Sequence, residues 1–366
     1  MQPAPANPQP EPLQRVVLYT EDDPLQLSCG RTLAPVEVAF TTVGTLNEDR
    51  SNAVFVCHAL TGDAHSAGAD GWWGQIVGPG RPVDTDRFFV ITPNLLGGCQ
   101  GTTGPASVDP ATGEPYGWDF PPIAVADLVA VHRRLLAHLG IDTVHTAIGG
   151  SLGGMQIVEW LLQAPGQVDR AAIIAATSLL SPQNLAFSAA ARSAILAAPE
   201  RMHDGMGVAR RIAHLTYLSE RGMERKFPRD ESLQESVPTS AEEWLASTYE
   251  GEHYLDHQAS SFLDRFDPFT YLWLSRVMDA FNPFAESTRK VDTGTQVLVA
   301  SFTSDWRFGR AHSDRIVDGL RERGAEALYQ VELESDAGHD AFLFDVPGYA
   351  EALSRFFAVH VAPKID

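Results

Sequence analysis

The chain is short of cysteine, short of basic residues, and without any apolar run long enough to cross a bilayer. Each shortage removes a class of function. Its three cysteines, Cys29, Cys57 and Cys99, lie far apart with no C-x-x-C pair, which speaks against a disulfide framework and against a structural zinc. Lysine and arginine together number 27 against 47 aspartates and glutamates, for a net charge of −20. A field of that sign repels nucleic acid and anionic membrane surfaces, so neither is expected as a partner. An anionic ligand would need a local basic patch. The opening stretch MQPAPANPQPEPLQ has neither a basic n-region nor an apolar core, so it is not read as a signal peptide. Its prolines read instead as a flexible or polyproline tail over residues 1–14. With no transmembrane run, the expected location is the cytoplasm.

What is present is the composition of a soluble globular enzyme: 366 residues, 44% apolar and 20% charged, enough for one large domain or a domain with an insertion. Short β-branched runs such as VEVAFTTVG, NAVFVCHAL, RFFVITPNL, VHTAIGG, DRAAIIAAT, TQVLVASFT and ALYQVELES recur. Helical patterns separate several of them, including IAVADLVAVHRRLLAHLG and GGMQIVEWLLQAPGQ. Strand alternating with helix implies an α/β chain with a doubly wound, mostly parallel sheet. The alternation stops between about Ser181 and Thr293, where every pattern reads as helix, including one long stretch SAEEWLASTYEGEHYLDHQASSFLDRF. The expectation is a core of 15–180 and 294–366 with an all-helical insertion of 181–293. The glycine- and proline-rich segment 97–122 reads as a long loop of the kind that is functional or disordered.

Gly149-Gly150-Ser151-Leu152-Gly153 satisfies G-x-S-x-G between a predicted strand and a predicted helix, the context of a nucleophile elbow. There the backbone is strained, and neighbouring side chains would collide with the turn. Such a serine needs a base that is itself oriented by an acid, and in this fold the order is Ser, Asp or Glu, then His. Asp305 follows TQVLVASFTS and His339 follows ALYQVELESDAG, both at strand ends and in that order. Asp336 and Asp340 are weaker acid candidates because they sit so close to His339. The oxyanion donors are expected to be the backbone N–H of Leu152 and that of Leu60, in the loop after NAVFVCHAL. His58 with His65, and His253 with His257, fit no metal-ligand pattern, so no metal is expected.

The blocks HALTGDAH, GWWGQIVGPGRPVDTDRFFVITPNLLGGCQGTTGPAS, GGSLGGMQ, ARRIAHLTY, FTSDW and GHDAFL together resemble the homoserine O-acetyltransferase family, over about residues 30–345. The resemblance implies an α/β-hydrolase fold whose helical insertion is a lid, and a triad of Ser151, Asp305 and His339. It implies that Arg210 binds a substrate carboxylate and that Asp340 contacts the homoserine amine. It further implies transfer of an acetyl group from acetyl-CoA, as co-substrate, to L-homoserine on the acetyl route to methionine. No permanently bound cofactor is implied, and a homodimer joined through lid helices is. Two departures stand out. Leu152 replaces a usual methionine, and Arg307-Phe308-Gly309-Arg310 replaces a proline-rich turn after Asp305, which bears on the wall of the acyl channel.

The residues support a ping-pong scheme through an acyl-Ser151 ester, with the helical insertion excluding water. Succinyl-CoA as donor and L-serine as acceptor remain alternatives. So does an esterase with the same triad, and a binding module on a silent hydrolase fold is the rival from another class.

Overall fold

The computed structural model describes residues 12–229, 237–246, 249–286 and 288–358. Most of the tail expected over residues 1–14 lies outside them. Gln14, assigned to that tail, instead begins the first strand and pairs with Phe40.

The backbone of the molecule is an eight-stranded sheet. In chain order its strands are β1 (Gln14–Tyr19), β2 (Val36–Val43), β3 (Ala53–Cys57) and β4 (Phe89–Pro93), then β5 (Val144–Gly150), β6 (Val168–Ile174), β7 (Gln296–Phe302) and β8 (Ala327–Leu333). Across the sheet they run β1-β2-β4-β3-β5-β6-β7-β8. The two pairings at the β1 end are antiparallel and the rest are parallel. The central strands are near-continuous apolar runs because both faces are covered. Every residue of β3, Ala-Val-Phe-Val-Cys, is buried.

The helices are α1 (Val125–His138), α2 (Leu152–Gln163), α3 (Pro182–Leu196), α4 (Met202–Tyr217), α5 (Glu220–Lys226), α6 (Ala241–Leu245), α7 (Glu250–Leu263), α8 (Pro268–Asp279), α9 (Arg310–Glu322) and α10 (Tyr349–Ala358). One face of the sheet packs on α1, α2 and α9 through residues such as Leu128, Ile157 and Ile316. The other is covered by α10 and by the Trp73 segment. Helix α2 is buried from Leu152 to Leu162 and mainly apolar, as a helix between sheet and neighbours must be, with Gln156 and Glu159 as its buried polar side chains.

Between β6 and β7 the described residues contain helices and no strand. Helices α3, α4, α7 and α8 share their own small core, in which Ile195, Met206, Phe262 and Tyr271 meet. The long helix expected around 240–266 is two helices, α6 and α7. Both are well started: Ser240 Oγ accepts from the Glu243 amide, and Glu252 caps the Tyr249 amide. The second cap favours a fresh helix start at Glu250.

Candidate active site

Ser151 sits where β5 ends and α2 begins. Its φ of 56° and ψ of −120° lie in a region that L-residues avoid, and its amide is held by the carbonyl of Ile174 on the neighbouring strand at 2.9 Å. The turn also depends on the residue two positions on being bare. A Cβ on Gly153 would stand 2.0 Å from the carbonyl oxygen of Cys57, so α2 touches the end of β3 backbone to backbone. That contact delivers the serine hydroxyl to the C-terminal edge of the sheet, at the N-terminus of a helix whose amides favour developing negative charge.

His339 reaches the same point from a 3-10 turn, Gly338–Leu343. Its Nε2 lies 3.0 Å from Ser151 Oγ and its Nδ1 lies 2.8 Å from Asp305 Oδ2. All three side chains are buried. The other oxygen of Asp305 accepts from the amides of Arg307 and Phe308 at 3.0 and 2.9 Å. Burial works to raise the Asp305 pKa, but the His339 imidazole and these two amides prevail and hold the carboxyl below its ordinary value. An ionised Asp305 fixes the imidazole with Nδ1–H toward itself and Nε2 free to accept a proton. The ring is further held edge-on by Phe308, at a centroid distance of 5.0 Å. This is the geometry of a base poised to activate a hydroxyl.

The backbone next to these groups is tied by one side chain that sequence reasoning missed. Gln156 Nε2 donates to the carbonyls of His58 and Leu152, both at 3.1 Å. Its Oε1 accepts from His132 Nε2 at 2.7 Å. It therefore joins the loop carrying Leu60 to the first turn of α2, the two places assigned the oxyanion donors. Leu60 lines the same cavity as Ser151, and Leu152 is the first residue of α2. His58, weighed as a possible ligand, is structural: Nδ1 donates to the Ala59 carbonyl and Nε2 accepts from the Leu95 amide. Burial pushes its pKa down. Among the described residues no group of three or more His, Cys, Asp or Glu side chains could hold a metal.

Over the serine lies a cavity of about 70 Å³, roofed by α3, α4 and α8 and lined among others by Leu60, Thr216, Tyr217, Tyr271, Arg307 and Asp340. Asp340 points into it and Asp336 does not: the Asp336 carboxylate pairs with Arg225 and its carbonyl accepts from Ser219 Oγ. Burial pushes the Asp340 carboxyl up to about 6, against the pull of His339, Arg210 and Arg307. Arg210 is buried in α4 with its guanidinium 4.5 Å above the centre of the Phe262 ring. Its Nε has no hydrogen-bond partner. The end of α4 also abuts the histidine turn, since a Cβ on Gly338 (φ 70°) would be 2.3 Å from the Tyr217 carbonyl oxygen.

Comparison with known proteins gives a consistent picture. Residues 52–346 match the family model described as alpha/beta hydrolase fold. The chain is 49% identical over 363 residues to a homoserine O-succinyltransferase of Nocardioides sp. (strain ATCC BAA-499 / JS614), covering 94% of this chain and 97% of that one. It is 43% identical over 369 residues to a homoserine O-acetyltransferase of Rhodopseudomonas palustris (strain BisB18), covering 94% and 90%. A crystal structure of homoserine O-acetyltransferase from Bacillus anthracis superposes with a TM-score of 0.84 at 24% identity, covering 97% of this chain and 99% of that one. At that identity the likeness speaks to the fold.

Proposed function

Because the chain belongs to the α/β-hydrolase fold family and, within it, to the homoserine O-acyltransferases, we propose that it moves an acyl group from an acyl-CoA thioester to the γ-hydroxyl of L-homoserine through an acyl-Ser151 ester. The observation that carries this reading is the hydrogen-bonded chain from Ser151 through His339 to Asp305 at the floor of a helix-roofed cavity. In the first half-reaction His339 Nε2 takes the serine proton as Oγ attacks the thioester carbonyl. The oxyanion is held by the amides of Leu60 and Leu152, each such donor being worth about 3 kcal/mol in the transition state. Collapse breaks the C–S bond, and His339 returns the proton so that coenzyme A leaves as the thiol.

In the second half-reaction His339 takes the γ-hydroxyl proton of homoserine, whose oxygen attacks the ester carbonyl. The bond to Ser151 Oγ breaks and the serine recovers its proton. Arg210 binds the amino-acid carboxylate and Asp340 its ammonium group, aiming the hydroxyl at the ester. The roof of α3, α4 and α8 keeps water from competing. The reading also carries a cytoplasmic homodimer joined through the lid helices, where Leu196, Val208 and Leu215 stand exposed. Acetyl and succinyl donors both occur among the relatives. The choice between them falls to the residues lining the cavity.

The test crosses acetyl-CoA and succinyl-CoA with homoserine, serine and no acceptor, and follows thiol release. Thiol should appear rapidly only with homoserine, and stop after one equivalent of enzyme without it. Sustained release that ignores homoserine would make the protein a thioesterase.

A further inference from the structure

The oxyanion amide assigned to Leu60 ends a chain of hydrogen bonds that begins on the lid. Leu60 and Thr61 are the central residues of a turn closed by the Gly62 amide, which donates to the Ala59 carbonyl at 3.0 Å. His58 Nδ1 donates to the same carbonyl at 2.7 Å, and its Nε2 accepts from the Leu95 amide at 3.2 Å. Among the described residues the one cis peptide is Ala34-Pro35, so the Ala59–Leu60 peptide is trans and its N–H points opposite to its C=O. Two donors that fix the carbonyl therefore aim the Leu60 N–H as well. That N–H has no acceptor among the described residues, and both Ala59 and Leu60 line the cavity over Ser151.

The same geometry repeats one step further out. The Thr61–Gly62 peptide is also trans, and the Thr61 carbonyl accepts from Arg265 Nη1 at 3.0 Å. Arg265 lies between α7 and α8, on the insertion. Its guanidinium stands 5.4 Å from the centre of the Phe262 ring, and its own carbonyl accepts from Gln100 Nε2 at 2.6 Å. A charged donor on the Thr61 oxygen polarises that peptide and strengthens the Gly62 bond to the Ala59 oxygen. The second bond in turn polarises the peptide that carries the Leu60 N–H. We propose that Arg265 is a positioning residue for acyl transfer, a lid side chain that aims and polarises the Leu60 amide of the oxyanion hole through the Thr61–Gly62 peptide. This deepens the reading of Ser151 acylation given above and rests on it, with Leu60 as donor. It gives the insertion a task beyond excluding water: a lid displaced from the core takes Arg265 with it and leaves the turn without a charged donor. Gln156 does not replace that donor, because it grips the His58 and Leu152 carbonyls, outside the turn.

The test isolates acylation of Ser151 as the burst of thiol released without homoserine, in the wild type, Arg265→Leu and Arg265→Lys, with acetyl-CoA and with succinyl-CoA. For whichever donor acylates the wild type, the burst rate constant at saturation should fall on the order of tenfold in Arg265→Leu, with the half-saturating donor concentration unchanged. In Arg265→Lys, which keeps a charged donor, it should fall roughly threefold. The burst amplitude reports how much protein is folded, and the rate constant does not depend on it. The analogue of each donor with sulfur in place of the carbonyl oxygen adds a readout specific to the oxyanion hole. Sulfur accepts hydrogen bonds weakly, so the wild type should react far faster with oxygen than with sulfur, and that ratio should shrink by the same factors in the two variants. Arg265→Lys supplies the shift if Arg265→Leu yields no folded protein. Wild-type rate constants in the variants, or slower acylation with an unchanged oxygen-to-sulfur ratio, would overturn the role of Arg265 while leaving acyl transfer at Ser151 intact. No burst from the wild type with either donor would bring down the underlying reading instead.

Discussion

Asp340 offers the sharpest test of the site's electrostatics. Its carboxyl is pushed up to about 6 by burial, despite the opposing pull of His339, Arg210 and Arg307. An unfolded chain would present it near 3.9, and that gap corresponds to about 3 kcal/mol. Because the folded-state pKa is the higher one, the proton on Asp340 favours the fold below the unfolded value, and that advantage is lost as pH rises through about 6. At pH 8 the folded protein therefore carries an ionised, poorly solvated carboxylate at a cost of up to about 3 kcal/mol. Asp340→Asn removes the charge. In reversible urea unfolding the variant should be the more stable at pH 8 by 2 to 3 kcal/mol, roughly, with the difference shrinking toward zero as pH falls to about 4. The same charge is what the homoserine ammonium needs, so the wild-type homoserine KM should rise about tenfold for each pH unit below 6. Asp340→Asn should lose that branch and bind homoserine weakly at every pH. A stability difference that is flat with pH, or a KM profile that survives the substitution, would refute the reasoning.

Ser151→Gly should abolish transfer yet stabilise the fold. The backbone strain at φ 56° is worth 1–3 kcal/mol, roughly, and glycine's extra chain entropy returns about 0.5–1 of it, so thermal unfolding should show a net gain of about 1 kcal/mol, and a loss would mean that the turn is not strained. Gln156→Leu should cost about 3 kcal/mol in urea unfolding, because it removes the side-chain donor to the His58 and Leu152 carbonyls and leaves the His132 N–H without its acceptor. It should also lower kcat by about tenfold with both donors as the oxyanion amides loosen; wild-type kcat in that variant would detach Gln156 from the site.

The architecture was legible where burial dictates pattern. β3, β5 and β7 lie inside the sheet, so they are buried along almost their whole length and read as mainly apolar runs, unbroken in β3, and the glycines around Ser151 announce a tight turn. The edge strand β1 was not foreseen. Four of its six residues are not buried, and QRVVLY carries no alternation to set it apart from the tail before it. The break between α6 and α7 was missed for a related reason, since a mostly solvent-exposed segment has no apolar stripe whose phase shift would mark the start of a new helix.

At the site, chain order and strand ends were enough to bring Ser151, Asp305 and His339 into one hydrogen-bonded line. They could not say which way the neighbouring charges face. Asp336 and Asp340 are four residues apart, and only the turn at Gly338–Leu343 sends one to the surface and the other into the cavity. Arg307 poses the same problem. In sequence it is one charged residue after an aspartate, indistinguishable from Arg310, which meets Asp314 and Gln330 at the surface. What distinguishes it is tertiary. Both amides that satisfy Asp305 belong to the turn containing Arg307, so holding the acid in place also brings Arg307 to the cavity wall, where Asn184 and Thr216 orient its guanidinium. The needs of the triad bring it there, and a motif search that stops at the aspartate passes over it.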